Sequence, residues 1–137
     1  MKVKVASFMF LAVALMFTGM THTAVAQDEP KNASGISWTA STKDFGKIDQ
    51  GKPVSAEFEF KNPSMVPLII SSVRPSCGCT VADYPKEPVP PGKTARISVT
   101  YNAAASGVFQ KSILVTSNAA DGNSTLIIKG EVVAKAN

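Results

Sequence analysis

From Val54 to Phe60 the chain alternates with a period of two: Val54, Ala56, Phe58 and Phe60 are apolar, and Ser55, Glu57 and Glu59 between them are polar. Successive side chains of an extended strand point to opposite faces, so this stretch predicts a strand with one face in a core and the other in water. The same period recurs where Ala95, Ile97, Val99 and Tyr101 alternate with Thr94, Arg96, Ser98 and Thr100. It returns in Leu126, Ile128, Gly130 and Val132. No stretch of the same region carries a helical apolar stripe, which leaves sheets as the way to bury these faces.

Weaker strand signals fill the intervals. Ile36, Trp38 and Ala40 are placed to face one way, and Phe45 and Ile48 flank Gly46 in a short extended piece. Val66 to Val73 is a further candidate, with Pro67 putting its start at an edge or an unpaired register. Val108 to Thr116 follows Gly107 and places Phe109, Ile113 and Val115 on one face with Lys111, a residue able to snorkel. Asp121-Gly122 lies in the polar turn before the last strand, so the last two strands read as a hairpin. Gly130, on the apolar face, marks a bulge or a close backbone approach. Six or seven short strands of this kind predict an immunoglobulin-like antiparallel β-sandwich of about seven strands, with a small barrel as the alternative.

The N-terminus reads differently. Lys2 and Lys4 precede an apolar run from Val5 to Phe17, and Ala24-Val25-Ala26 follows, the pattern of a secretory signal peptide over residues 1–26. The run is too short for the roughly 20 residues of a spanning helix, so no transmembrane segment is expected after cleavage. Residues 27–35 read as a flexible polar leader, and residues 36–134 as one domain. Export to the periplasm or the medium follows from the signal. Cleavage removes Lys2 and Lys4 and leaves twelve basic against ten acidic side chains, a net +2 in place of +4. Such a mild, scattered balance argues against nucleic acid as a partner. His22, the sole histidine, is lost too, and with it imidazole-based catalysis and metal ligation.

The two cysteines lie in Ser76-Cys77-Gly78-Cys79-Thr80. Residues i and i+2 have Cα atoms roughly 5.5 to 7 Å apart, which overlaps the disulfide range, and Gly78 permits a tight backbone. Three chemistries stay open for the pair: an intramolecular disulfide or structural thiols, a redox couple, or half of a soft-metal site. The spacing is shorter than the Cys-x-x-Cys of helix-borne redox pairs, although Arg74 lies near enough in sequence to stabilise a thiolate. A closed zinc site wants four ligands, and the mature chain adds only Met65 and carboxylates such as Asp83. No metal and no cofactor is therefore assigned. Asp44 with Asp49, and Glu57 with Glu59, read as solvated charges rather than acid/base pairs, and Trp38 as a core or rim residue.

Tyr84 to Gly92 holds four of the nine prolines and reads as an ordered extended loop ending in a Pro91-Gly92 turn. Phe45-Gly46, Phe58-Glu59-Phe60-Lys61-Asn62, Leu68-Ile69-Ile70, Ser76-Cys77-Gly78-Cys79-Thr80, Pro90-Pro91-Gly92 and Ile113-Leu114-Val115-Thr116-Ser117-Asn118 together resemble the bacterial DUF1573 family, whose members look like immunoglobulin-like domains related to the ASPM, SPD-2 and hydin group. The resemblance spans roughly Ile36 to Val133. It implies a seven-stranded sandwich, an exported protein and no established enzymatic activity. The expectation is thus a non-enzymatic module that binds a protein or a cell-envelope component. Its surface would be built from Ser76, Cys77, Gly78, Cys79, Thr80, Tyr84, Pro85, Pro88 and Pro90. The competing expectation is a thiol-dependent redox or soft-metal protein using Cys77 and Cys79.

Overall fold

The computed structural model describes residues 35–135, so the expected signal peptide over residues 1–26 and all but the last residue of the expected leader lie outside the described residues. Eight strands follow in order: β1 (Ser37–Trp38), β2 (Thr42–Asp49), β3 (Val54–Lys61), β4 (Ile70–Pro75), β5 (Thr80–Asp83), β6 (Thr94–Tyr101), β7 (Gly107–Ser117) and β8 (Asn123–Val133). They form two four-stranded sheets, β1-β3-β6-β5 and β2-β8-β7-β4. The fold is an all-β sandwich of immunoglobulin-like type.

Each alternating stretch supplies one inner face. Phe58, Phe60, Ile97, Val99 and Tyr101 come from the first sheet, and Phe109, Ile113, Val115, Leu126, Ile128 and Val132 from the second; all are buried. Fully burying one such aliphatic or phenyl side chain stabilises by about 1.5–3 kcal/mol, so this interdigitated layer dominates folding. Tyr101 stacks on Phe109 across the layer, with ring centroids 4.2 Å apart. Lys111 is half-buried opposite Ile128. The hairpin of β7 and β8 runs antiparallel in register from Gly107↔Val132 to Thr116↔Asn123.

Four details depart from a regular antiparallel sandwich of alternating strands. β2 pairs with β8 in parallel, which makes the second sheet mixed. A register shift between Asp44 and Lys47 turns both Phe45 and Ile48 onto the core, although an odd spacing in a regular strand would separate them. Gly46 makes that bulge with φ +65°, and its N–H donates to Asp44 Oδ1 at 2.8 Å. The stretch expected as a strand from Val66 instead joins the sheet only at Ile70. Leu68 pairs with Val89 alone, by reciprocal backbone bonds of 2.9 and 2.8 Å. Finally, Thr80–Asp83, a stretch to which the sequence pattern assigns no element, is a strand. Thr80 turns inward and Val81 outward at 68% exposure, so the apolar pattern is inverted there.

Candidate functional site

The Cys77–Cys79 turn is where the chain passes from β4, at the edge of one sheet, to β5, at the edge of the other. Cys77 and Cys79 are joined by a disulfide, their Cα atoms 5.3 Å apart. Backbone bonds hold the turn on both sides. Ser76 N–H donates to Ser112 O at 2.8 Å, Thr80 N–H to Cys77 O at 3.4 Å, and Asn102 N–H to Cys79 O at 3.0 Å. Ser76 Oγ also accepts from Ser112 N–H at 3.2 Å. Both cysteines are half-buried, whereas Gly78 is exposed and a Cβ on it would meet open space. Thr80 is 4% exposed, and its Oγ1 lies 3.6 Å from Cys77 Sγ and 3.9 Å from Cys79 Sγ. With both sulfurs bonded to each other, neither is a thiolate ligand for a metal in this form. Among the described residues no three His, Cys, Asp or Glu side chains cluster to hold an ion.

β5 leads from this turn to the proline loop. Tyr84 and Pro85 are half-buried and Lys86 Nζ sits over the Tyr84 ring, 3.1 Å from its centroid, a cation–π contact on the surface. Pro88 and Pro90 are exposed, while Val89 between them is buried against Leu68. The nine residues expected to make one surface are therefore strung along one sheet edge. The cysteine turn lies near the Tyr101 end of β6 and Pro90 near its Thr94 end, roughly 23 Å away at the usual rise of a strand. Tyr84 and Pro85 occupy the middle.

At the Pro90 end the structure adds a feature that period-two reasoning does not reveal. Asn62, 1% exposed, is a hub: its Nδ2 donates to Val66 O at 2.8 Å and to Val89 O at 2.9 Å. Its Oδ1 accepts from Ser64 N–H and Ser64 Oγ at 3.0 and 2.7 Å. Its backbone is tied to the Pro91-Gly92 turn, with Gly92 N–H donating to Asn62 O at 2.8 Å. This clamp fixes the Pro63–Pro67 loop, from which Met65 projects at 91% exposure. Met65 borders an open cleft of about 490 Å³ with Pro63, Ser64, Pro91, Gly92, Ser37 and Lys61. The signal available in sequence was Asn62-Pro63-Ser64, a side chain able to bond its own turn placed before a proline.

The remaining charges are spread over the outer faces. Arg96 bridges Glu57 and Glu59 at 3.2 and 3.3 Å on the solvated side of the first sheet, so the two glutamates are occupied by an exposed ion pair. Trp38 packs on Phe60 with centroids 5.1 Å apart, at the rim of the core.

Two four-stranded sheets with this topology and an inner layer of alternating side chains define an immunoglobulin-like β-sandwich domain. The chain belongs to the DUF1573 family, described as a protein of unknown function, whose pattern matches residues 36–132. It is similar to a protein of unknown function from Porphyromonas gingivalis W83, with 17% identity and a TM-score of 0.65 over 74% of this chain. That match takes in 48% of the Porphyromonas chain, so the present chain spans about half its length. It is also similar to the seventh PapD-like (ASH) domain of human CEP192, at 10% identity and a TM-score of 0.62, covering 86% of this chain and 98% of that one. The Class 5 fimbriae chaperone CfaA superposes with a TM-score of 0.51 at 12% identity, over 75% of this chain and 58% of its own. At such identities these likenesses are of fold. No curated protein matches the chain in sequence.

Proposed function

We propose that the chain is an exported, non-enzymatic module that binds another protein or cell-envelope component through the edge and end formed by the proline loop and the Met65 loop. The observation that carries this reading is the Asn62 clamp, which holds a 91%-exposed Met65 beside Pro63 and Pro91. An apolar side chain on a pre-ordered loop can be buried by a partner with little further loss of conformational freedom, the condition for an interface hot spot. Lys61 on the cleft border favours a partner segment that brings a carboxylate beside its apolar contact. The signal-peptide pattern of residues 1–26 supports export. The fold shared with a fimbrial chaperone is compatible with protein binding, and the reading does not rest on it.

Edge pairing is a poorer route. β5 is four residues long and runs into Pro85, β4 carries a register shift between Ile70 and Ser72 and ends at Pro75, and β2 is bulged at Gly46. These are the devices that blunt sheet edges.

The test places a photo-crosslinking residue at Met65 in the tagged mature domain and captures partners from the native envelope. A discrete adduct that is lost in a Lys61→Glu, Pro91→Ser background, two changes on the border of the same cleft, and retained when Cys77 and Cys79 are both serine, supports the reading. Absence of any adduct, or one insensitive to the loop changes, overturns it.

A further inference from the structure

The Cys77–Cys79 bond closes a ring of only three residues, so it removes little freedom from the unfolded chain and is a poor staple. The groups around it serve another purpose. Thr80 is a buried hydroxyl on an inner face otherwise filled by apolar side chains, and a buried hydroxyl without a partner would destabilise the fold. Its Oγ1 is directed at the two sulfurs, 3.6 and 3.9 Å away, within reach of whichever one is released. The turn is open to solvent: Gly78 is exposed, both cysteines are half-buried, and apart from those two neighbours no atom stands within 4 Å of the place where a Gly78 Cβ would be. A nucleophile can therefore approach from solvent while a fixed donor waits behind.

The geometry points to a thiol–disulfide exchange site that accepts an electron pair from a molecule carrying two thiols, with Thr80 as the hydrogen-bond donor to the leaving sulfur. This site is separate from the Met65 end and stands whether or not that end binds a partner. In the first step a thiolate of the dithiol attacks one cysteine Sγ, a mixed disulfide forms, and the Cys77–Cys79 bond breaks. The displaced sulfur leaves as a thiolate that accepts the Thr80 Oγ1–H. In the second step the other thiol of the donor loses its proton and attacks its own mixed-disulfide sulfur. The donor leaves as a disulfide, the second cysteine sulfur is released, and the two protons end on the two cysteines. Two electrons pass from the dithiol to the pair. Because the turn is also held by the backbone bonds to Ser112 and Asn102, the fold survives in the reduced form.

The experiment uses the mature chain with dithiothreitol as the dithiol, alkylation to stop the reaction and mass measurement to count free thiols. Fluorescence of Trp38, the only tryptophan, reports the fold in the same samples. The expected result is reduction at a rate proportional to dithiothreitol with Trp38 fluorescence unchanged. Thr80→Val should slow it about fivefold, the loss of one hydrogen bond of roughly 1 kcal/mol, while Thr80→Ser stays near wild type. If Thr80→Val does not fold, Thr80→Ala removes the same hydroxyl with less bulk. A wild-type rate independent of dithiothreitol, which would mean that unfolding must come first, overturns the proposal. So does a hydroxyl-free variant that folds and is reduced as fast as wild type.

Discussion

The carbonyl oxygen of Gly46 stands 2.7 Å from the point a Cβ on Gly130 would occupy, and the Phe109 ring lies 3.0 Å from the same point. The bulge of β2 thus closes directly over the gap in the apolar face of β8, and the missing side chain is what lets β2 dock. Gly130→Ala would push against backbone and against a buried ring that is itself stacked on Tyr101. It should destabilise by about 1–3 kcal/mol, read as a lower midpoint in urea with an unchanged slope. Gly78→Ala is the matched control, since its Cβ meets open space, and it should stay within about 0.5 kcal/mol of wild type. Equal stability of the two variants would mean that β2 does not depend on the close approach.

Asn62 does for the loops what Gly130 does for the sheets. Replacing it by alanine removes its two amide bonds and frees the Ser64 end of the loop, although Val66 O keeps the Ser64 hydroxyl and Val89 O keeps the Leu68 N–H as donors. Four hydrogen bonds made by its side chain are lost, each worth roughly 0.5–1.5 kcal/mol net, so Asn62→Ala should destabilise by about 3 kcal/mol. Hydrogen exchange would separate this from a general softening: protection should fall first at Ser64, Val66 and Gly92. A loss of less than about 1 kcal/mol with no local change in exchange would sink the clamp as an organising element.

The sandwich was legible because Val54 to Phe60 and Ala95 to Tyr101 carry an uninterrupted period of two, and Leu126 to Val132 carries one broken only by Ile127 and Gly130; the buried residues are the apolar ones in phase with it. β5 was not, because Thr80 is buried and Val81 exposed, the reverse of the apolar alternation from which a strand's inner face is read. The parallel pairing of β2 with β8 was also hidden, since alternation fixes which face a residue takes and says nothing about which strand lies beside it. Of the candidate surface, the cysteine turn and the proline loop stood out by composition. Their separation along β6, and the presence of Met65 at one end only, depend on pairings between residues far apart in sequence, such as Leu68 with Val89.

Lys52 forms a hydrogen bond with Asp49 across the turn between β2 and β3. That bond, followed by the lysine's charge, holds the Asp49 carboxyl below its ordinary value of 3.8. A carboxyl lowered on folding favours the native state above its unfolded pKa, and the contribution fades as pH falls through the folded value. Lys52→Met should therefore move the Asp49 titration, followed by carboxyl carbon NMR, upward toward 3.8. Since both groups are largely exposed, stability at neutral pH should hardly change, and salt should shrink the wild-type shift. An unmoved titration in the variant would show that Lys52 is not the cause.

Replacing both Cys77 and Cys79 by serine tests how far the fold relies on its one covalent link among the described residues. On the chain-closure account, opening a ring of three residues loses no more than about 1.5 kcal/mol, against 2–5 kcal/mol for a native bridge in a small secreted domain. The turn keeps its other restraints: Ser76 remains bonded to Ser112 and residue 79 remains tied through its carbonyl to Asn102. The inner layer does not include either sulfur among its fully buried side chains, so no large cavity opens. The double variant should fold with a melting temperature only a few degrees lower, and its amide shifts should change mainly from Ser76 to Thr80 and at Asn102. A loss of 3 kcal/mol or more, or shifts spreading through β6 and β7, would instead make the disulfide a structural staple holding the crossover between the sheets.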